Sequence, residues 1–254
     1  MKVNLKKWSR EYGLFFLVVL GMASLWQWIV EIEAIPDFIL PGPIAIWTSL
    51  VENSEILLME HLPATLKEVL IGFGLSLVAG LLLGVGMYFF HLLEKVLYPF
   101  LVISQTVPLI ALSPIFIMWF GYTIWSKVAV TFLIAFFPIV VSTYDGLKAG
   151  GVEYRELLQT MGAGRWMIFK KIQLPMALPS ILSGLKMSVV YCVVGATIGE
   201  WLGASEGLGY FSRRMSSNLQ ADAVFASIFL LSLMGIILFL VVSLIEKQLL
   251  KHFR

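Results

Sequence analysis

The sequence predicts an all-α fold, a polytopic membrane helix bundle with about six transmembrane helices. The chain has 254 residues, of which 59% are hydrophobic and only 13% are charged. A soluble domain typically has about 45–50% apolar and about 25% charged residues, so this chain has too few charges to cover a water-soluble surface. Its apolar residues also form uninterrupted runs close to the roughly 20 residues that a helix needs to cross a bilayer. Together these features exclude a soluble enzyme and a disordered protein, and the net charge of +2 gives no support to a nucleic-acid binder.

Six apolar runs account for the predicted crossings. A basic start followed by an apolar run is also typical of a cleaved signal peptide, but the first run is long, is flanked by Trp and is followed by further spans, which favours a retained helix. Continuous apolarity favours helices over barrel strands, which alternate with a period of two residues. A single transmembrane domain, 1–254, is expected because the loops are short. The predicted spans are 14–30, 66–90, 97–120, 128–144, 179–199 and 224–245.

Basic residues indicate the orientation in the membrane, because loops rich in Lys and Arg stay in the cytoplasm. With the N-terminus inside, most Lys and Arg residues lie on the cytoplasmic side, including those of segment 145–176. The outer segment 31–60 then has six acidic residues and no Lys or Arg. Both termini are therefore predicted to be cytoplasmic.

Several kinds of chemical site are missing from the sequence. The single cysteine, Cys192, excludes an internal disulfide framework, and the three histidines lack the spacing of metal ligands. There is no Gly-x-x-x-x-Gly-Lys-Ser/Thr loop for nucleotide phosphates. We therefore expect no metal site, no cofactor and no ATP site on this chain. A membrane-embedded enzyme and a secondary transporter are the rival classes, but the clustered carboxylates of the first and the internal repeats of the second are absent.

The longest cytoplasmic segment, 145–176, is predicted to form a helix, a glycine turn, a second helix and a proline stop before the fifth span. Glycine permits turn conformations that other residues resist. An amphipathic connector lying on the membrane surface would show the same spacing of apolar residues. Acidic and basic residues are mixed here and the turn is compact, which favours docking to a soluble partner. The candidate docking residues are Glu156, Leu157, Met161, Gly162, Ala163, Trp166 and Pro175.

Polar and aromatic residues of the apolar runs are the candidates for a substrate path, because unpaired polar groups are costly in hydrocarbon. Each of them could instead bond one helix to another. Glu200 beside Trp201 also fits a charge with an aromatic anchor at the outer membrane interface. The candidates are Gln105 and Thr106 in the third span, and Tyr191, Thr197, Glu200 and Trp201 at the fifth.

A known motif is recognisable in segment 145–176. It resembles the coupling signature of permease subunits in ATP-binding-cassette importers, which has Glu-Ala-Ala, three residues, Gly, nine residues and Ile-x-Leu-Pro. The matching residues are Glu156-Leu157-Leu158, Gly162 and Ile172-x-Leu174-Pro175. Further segments are similar to the nitrate/sulfonate/taurine-type permeases: Leu40-Pro41-Gly42-Pro43 with Trp47, His61 with Thr65-Leu66, Phe136-Phe137-Pro138-Ile139 and Gly207-Leu208-Gly209. The likeness covers about residues 38–250.

The resemblance implies the type I importer permease fold and a transport subunit rather than an enzyme. Two permease subunits, expected to be a homodimer, would form the translocation path in the lipid of the bacterial plasma (inner) membrane. Separate ATPase subunits would bind ATP and Mg²⁺ and dock on the cytoplasmic segment. A periplasmic or lipid-anchored substrate-binding protein would deliver the substrate.

The motifs around the fifth span narrow the expected substrate. Tyr191-x-Val193-Val194-Gly195-Ala196 and Gly199-Glu200-Trp201 look more like the branch that serves thiamine-pyrimidine precursors and riboflavin. The rings of Tyr191 and Trp201 would suit such an aromatic heterocycle by stacking. A sulfonate, taurine or nitrate permease is the alternative. An anion would require fixed positive charge along the path, and Lys186 is the one base deep inside a span.

Overall fold

The computed structural model describes residues 5–33 and 35–251, and this part of the chain is helical without any strand. The predicted all-α bundle is confirmed. Five helices are long and apolar enough to cross a membrane, and a bent pair of shorter helices makes a sixth candidate. The helices are α1 (Leu5–Ile32), α2 (Pro43–Glu52), α3 (Ser54–Phe89), α4 (His91–Ser104), α5 (Leu109–Phe120), α6 (Ile124–Ala149), α7 (Val152–Thr160), α8 (Arg165–Gly203), α9 (Leu208–Ser217) and α10 (Ala221–Lys251).

Most helices extend beyond the apolar runs that predict them. The run 66–90 belongs to the 36-residue α3, and the run 179–199 belongs to the 39-residue α8. An apolar run marks only the part of a helix that lies in hydrocarbon, so the helix itself can continue into the polar interface. The sequence therefore gives the positions of the crossings better than it gives the ends of the helices.

The third predicted span, 97–120, is not one continuous helix. Helices α4 and α5 meet at an angle of 103° across residues 105–108. Pro108 stands at the start of α5. It has no N–H to continue the helical hydrogen bonds, and its ring disfavours helical backbone at the preceding Val107. The predicted span 97–120 therefore consists of parts of two helices joined at a bend.

The bent pair nevertheless runs the length of α6. Lys148, near the C-terminus of α6, donates to Glu94 of α4 across 2.9 Å. At the other end, a Cβ atom built on Gly203 would lie 2.9 Å from Ile117 of α5 and 3.9 Å from Ser126, near the N-terminus of α6. Because its ends contact opposite ends of α6, the pair forms one bent crossing, the sixth of the bundle.

Helix α6 is the centre of the bundle, with α3 on one side and α8 on the other. Small residues on both neighbours let the backbones come close, which is how helix pairs gain contact in lipid. Ser76 of α3 and Ser188 of α8 also donate hydrogen bonds to α6, at the carbonyls of Phe132 (2.9 Å) and Ala135 (3.0 Å). The closely approaching glycines are Gly72, Gly80 and Gly84 on α3, and Gly184, Gly195 and Gly199 on α8.

We expect Gly80→Val to destabilise this bundle. A Cβ atom at Gly80 would lie 2.7 Å from Cγ2 of Ile139 on α6, so the two helices would have to separate. Overpacking of this kind costs about 1–3 kcal/mol. Gly74→Val is the matched control, because Gly74 lies on the same helix and a Cβ atom there meets nothing within 4 Å. Thermal unfolding of the purified protein in detergent should give a lower Tm for Gly80→Val alone, and equal Tm values would contradict the close α3–α6 contact.

Two π-helical turns widen the long helices, at Leu57–His61 in α3 and at Phe169–Gln173 in α8. Each is followed, after one residue, by a proline: Pro63 in α3 and Pro175 in α8. A proline has no N–H to donate and its ring crowds the preceding turn, and a wider turn relieves that crowding. Both prolines therefore lie inside continuous helices.

The predicted stop at Pro175 is corrected by this finding. Helix α8 runs without a break from Arg165 to Gly203. Of the segment 145–176, only residues 150–151 and 161–164 lie outside helices. Segment 145–176 is thus the end of α6, a short helix and a tight turn joined directly to the long helix α8, with no break at Pro175.

Candidate translocation and coupling sites

Glu200 is a buried residue, with 1% of its surface exposed, and its carboxylate holds the start of α9. It accepts hydrogen bonds from the main-chain N–H groups of Gly209 (2.5 Å) and Tyr210 (3.3 Å) and from the hydroxyl of Thr65 (2.7 Å). A carboxylate here also interacts favourably with the positive end of the helix dipole. Glu200 is therefore neither an exposed interfacial charge nor, as shown below, a group that lines the apolar grooves.

Helix α3 supplies the two remaining partners for the start of α9. Thr65 Oγ1 accepts from the N–H of Leu208 at 2.8 Å, and His61 Nδ1 accepts from the N–H of Gly207 at 3.1 Å. The first N–H groups of a helix have no partners within the helix, so this cluster satisfies all four at α9. One hydrogen-bond network thus joins α3, α8 and α9.

The geometry explains the motif Gly207-Leu208-Gly209. Gly207 has a φ of +114°, a conformation that residues with side chains rarely adopt. A Cβ atom at Gly209 would lie 2.7 Å from the Glu200 carboxylate and 3.0 Å from the main chain of Thr197. Both glycines are required because α9 begins in contact with α8.

A buried ion pair, which the sequence analysis missed, lies next to Glu200. Lys127 Nζ of α6 is 3.3 Å from Glu68 Oε1 of α3, and both side chains are almost fully buried. Within the described part of the chain, the second carboxylate oxygen of Glu68 has no hydrogen-bond partner. A Glu inside an apolar run is the sequence feature that could have revealed the pair, because ionisable residues within membrane helices are rare and usually paired.

Four of the six candidate path residues line two adjoining grooves. Gln105 and Tyr191 line a groove of about 500 Å³ beside the break between α4 and α5. Thr197 and Trp201 line a groove of about 690 Å³ between α8 and α10. Ile110 of α5 lines both grooves, so they form one continuous surface.

Thr106 lies outside the residues that line these grooves. Its hydroxyl donates to the carbonyl of Ile103 at 2.7 Å, which helps to end α4. The larger groove is lined almost wholly by aliphatic and aromatic side chains. Such a surface suits a weakly held apolar or aromatic molecule more than a charged one.

All predicted docking residues except Pro175, which lies further along α8, belong to a compact knuckle. We define the knuckle as residues 152–168, comprising α7, the turn and the start of α8. Gly162 has a φ of +82° at the turn. The predicted docking residues Leu157 (58%), Met161 (73%) and Trp166 (66%) are exposed, as are Tyr154 and Met167 of the same knuckle. Glu156 is also exposed, and Ala163 is half-buried. Exposed apolar side chains clustered on one surface mark an interaction site.

The knuckle is attached firmly to the bundle. The Trp166 ring stacks on Phe169, with centroids 5.3 Å apart, and Phe169 packs against Phe89 at the end of α3, at 4.9 Å. Phe169 also belongs to a buried cluster with Leu147 of α6. A force applied at the knuckle would therefore reach all three central helices.

A model of the family described as "Binding-protein-dependent transport system inner membrane component" matches residues 76–251, more than half of the chain. The chain belongs to this family. It is the permease subunit of an ATP-binding-cassette importer, as the motifs predicted. This assignment sets aside the membrane-enzyme and secondary-transporter alternatives.

Named relatives and a solved structure agree with this permease assignment. The formylaminopyrimidine transport permease protein ThiX of Halalkalibacterium halodurans is 49% identical over 240 residues, covering 94% of each chain. The riboflavin transport system permease protein RibX of Chloroflexus aurantiacus is 33% identical, covering 89% of this chain and 85% of RibX. A structure of the MetNI methionine ABC transporter in an inward-facing conformation matches with a TM-score of 0.64 at 20% identity, covering 74% of this chain and 94% of that chain. The last match shows the fold.

The permease offers no clustered metal ligands in the residues that the structure describes. No three His, Cys, Asp or Glu side chains there come together in a way that could hold a metal ion. Cys192 is buried and has no disulfide partner. That the chain needs no cofactor of its own stays a prediction.

Proposed function

We propose that this permease carries a small nitrogen heterocycle of the thiamine-pyrimidine-precursor class, such as a formylaminopyrimidine, or a related riboflavin-like heterocycle. The observation that carries this proposal is the 49% identity to ThiX across 94% of both chains. The rings of Tyr191 and Trp201 are exposed in the two grooves and offer faces on which a flat ring can stack.

The charges within the membrane helices also support a neutral cargo. Lys127 pairs with Glu68, and Lys186 of α8 pairs with Glu246 of α10 at 2.7 Å. The buried Lys127 and the half-buried Lys186 are thus each matched by a carboxylate. Neither lysine offers free positive charge to an anion such as a sulfonate or nitrate, which makes the alternative cargo class less suitable for these grooves.

The knuckle is the proposed docking site of a separate ATPase, which would bind the ATP and Mg²⁺. Leu157, Met161 and Trp166 present apolar surface that a groove on such a partner would bury. Gly162 provides the turn that brings α7 back onto α8. Phe169 lies on α8, which lines both grooves, so the movement of the ATPase would reach the grooves through α8 and reach α3 through the contact between Phe169 and Phe89.

The proposed assembly contains two copies of this chain and an external substrate-binding protein. The grooves are open along one face of the bundle, and a second copy facing the first would enclose them as a path. We place both termini in the cytoplasm of a bacterial cell, because Lys148, Lys170 and Lys171 lie at the knuckle end of the molecule.

Uptake into proteoliposomes tests the cargo. Vesicles holding the permease and its ATPase, with the binding protein outside, should accumulate a radiolabelled formylaminopyrimidine only when ATP is supplied to the ATPase. Unlabelled formylaminopyrimidine should compete, whereas an aliphatic sulfonate should not. Accumulation of the sulfonate without the pyrimidine would overturn the proposed cargo class.

A further inference from the structure

A third cavity, of about 260 Å³, lies where α8 meets α9 and the loop before α6. We name it the vestibule. Unlike the grooves, it combines aromatic rings with two arginines, hydrogen-bonding side chains and the Glu200 carboxylate, whose hydrogen bonds hold the start of α9. Its principal lining residues are Tyr122, Glu200, Trp201, Tyr210, Arg213, Arg214 and Asn218.

We infer that the vestibule is a binding site for the heterocyclic cargo, occupied before the cargo enters the grooves. This inference rests on the proposed function and adds to it a site and residues. Trp201 lines both the vestibule and the larger groove, so one indole ring borders both spaces. In the proposed orientation the vestibule lies at the outer end of the path, where a binding protein would release its cargo.

The chemistry of the vestibule fits a flat ring that has hydrogen-bond acceptors at its edge. Neither Arg213 nor Arg214 forms an ion pair with a carboxylate among the residues that the structure describes. Their guanidinium donors are therefore available to the carbonyl oxygen or ring nitrogen of a pyrimidine. Tyr122 and Trp201 supply aromatic faces for the ring itself.

The wall that carries the two arginines is fixed in place. The N–H groups at the start of α9 are held by His61, Thr65 and Glu200. Phe211 and Ser212 of α9 are buried, whereas Arg213 and Arg214 are exposed. A binding surface that is already ordered loses little conformational freedom when a ligand arrives.

Two other occupants are conceivable, and the geometry disfavours both. The binding protein could contact the arginines directly, but a concave space that shares Trp201 with the larger groove suits a small molecule better than a protein surface. An anion without a ring could pair with the guanidinium groups, but it would leave the aromatic faces unused. The experiment below separates these occupants.

Protection of an introduced cysteine tests the vestibule. The only cysteine of the chain, Cys192, is buried, so a new surface cysteine is the one accessible thiol. Ser217 lines the vestibule, whereas the neighbouring Ser216 is exposed without lining it. Ser217→Cys is the probe and Ser216→Cys the matched control. The rate of labelling by a membrane-impermeant maleimide is measured on the permease–ATPase complex in nanodiscs, without binding protein, as formylaminopyrimidine is added.

At a formylaminopyrimidine concentration of twice its Kd, labelling of Ser217→Cys should slow about threefold, because only a third of the sites remain free. Labelling of Ser216→Cys should not change, and adding Arg213→Ala to Ser217→Cys should remove the protection. Equal protection of both cysteines, or none, would overturn the site. Protection by the binding protein alone, or by an aliphatic sulfonate but not the pyrimidine, would overturn the assigned occupant.

The uptake assay keeps this test separate from that of the proposed function. If the wild-type complex imports the heterocycle and Ser217→Cys is not protected, the vestibule is overturned and the cargo stands. If the wild-type complex does not import the heterocycle, the proposed cargo itself is overturned, together with the vestibule's role in its transport.

Discussion

Replacing Leu157 and Met161 together by serine should detach the ATPase from this permease. Both side chains are exposed on the chain alone, so their loss leaves the bundle intact while removing apolar surface from the docking face. Burying such a side chain contributes about 1.5–3 kcal/mol. With tenfold in affinity for every 1.4 kcal/mol, the pair should weaken docking by roughly 100-fold or more. The amount of ATPase that co-purifies with the permease measures this loss directly.

A leucine at the other end of the molecule provides the control for this variant. Leu219, just after α9, is also a large exposed apolar residue. Leu219→Ser removes similar surface away from the knuckle, and we expect it to leave co-purification and ATP hydrolysis unchanged. If the Leu157→Ser/Met161→Ser permease inserts normally and still retains its ATPase in full, the knuckle is not the docking site.

Replacing Glu200 by leucine should lower the stability of the permease sharply. The N–H groups of Gly209 and Tyr210 would lose their acceptor inside the protein. Each buried donor left without a partner costs about 1–3 kcal/mol, so the total is about 2–6 kcal/mol. The expected result is a large fall in Tm in detergent and a fall in the yield of monodisperse protein.

Glu200→Gln separates the loss of the hydrogen-bond acceptor from the loss of the negative charge. Glutamine keeps one side-chain oxygen as acceptor. The fall in Tm of the Glu200→Gln variant should therefore be less than half the fall in Tm of the Glu200→Leu variant. Glu206→Leu is the control, because Glu206 is an exposed acid in the same loop region, and its Tm should stay near the wild-type value. Equal losses for Glu200→Leu and Glu206→Leu would show that the α9 junction does not depend on this carboxylate.

The features that the sequence predicts well are those that depend on residues close together along the chain. Apolar runs predict the crossings because the bilayer imposes a length on each one. The turn at Gly162 is predictable because glycine is the residue that accepts a φ of +82° without strain. The exposed surface of Leu157 and Met161 likewise follows from helical spacing in a short polar segment.

The features that the sequence does not reveal depend on contacts between distant residues. Thr65 and Glu200 are 135 positions apart, and neither position alone indicates that they meet at the start of α9. Glu200 therefore suggests a path residue or an interfacial charge until its partners are known. The bend at residues 105–108 is hidden for a different reason: apolarity indicates that a segment lies in lipid, but not in which direction it runs.

The glycine contacts on both sides of α6 determine how this subunit can deform. Few side-chain atoms separate α3, α6 and α8, so these helices cannot easily slide past one another. We expect them to tilt together as one rigid slab. At 1.5 Å per residue, the 26 residues of α6 make this slab about 39 Å long. A tilt of about 10° at the knuckle end would swing the far end by about 7 Å. A modest rotation applied at the knuckle would thus be amplified into an opening as wide as a single aromatic ring.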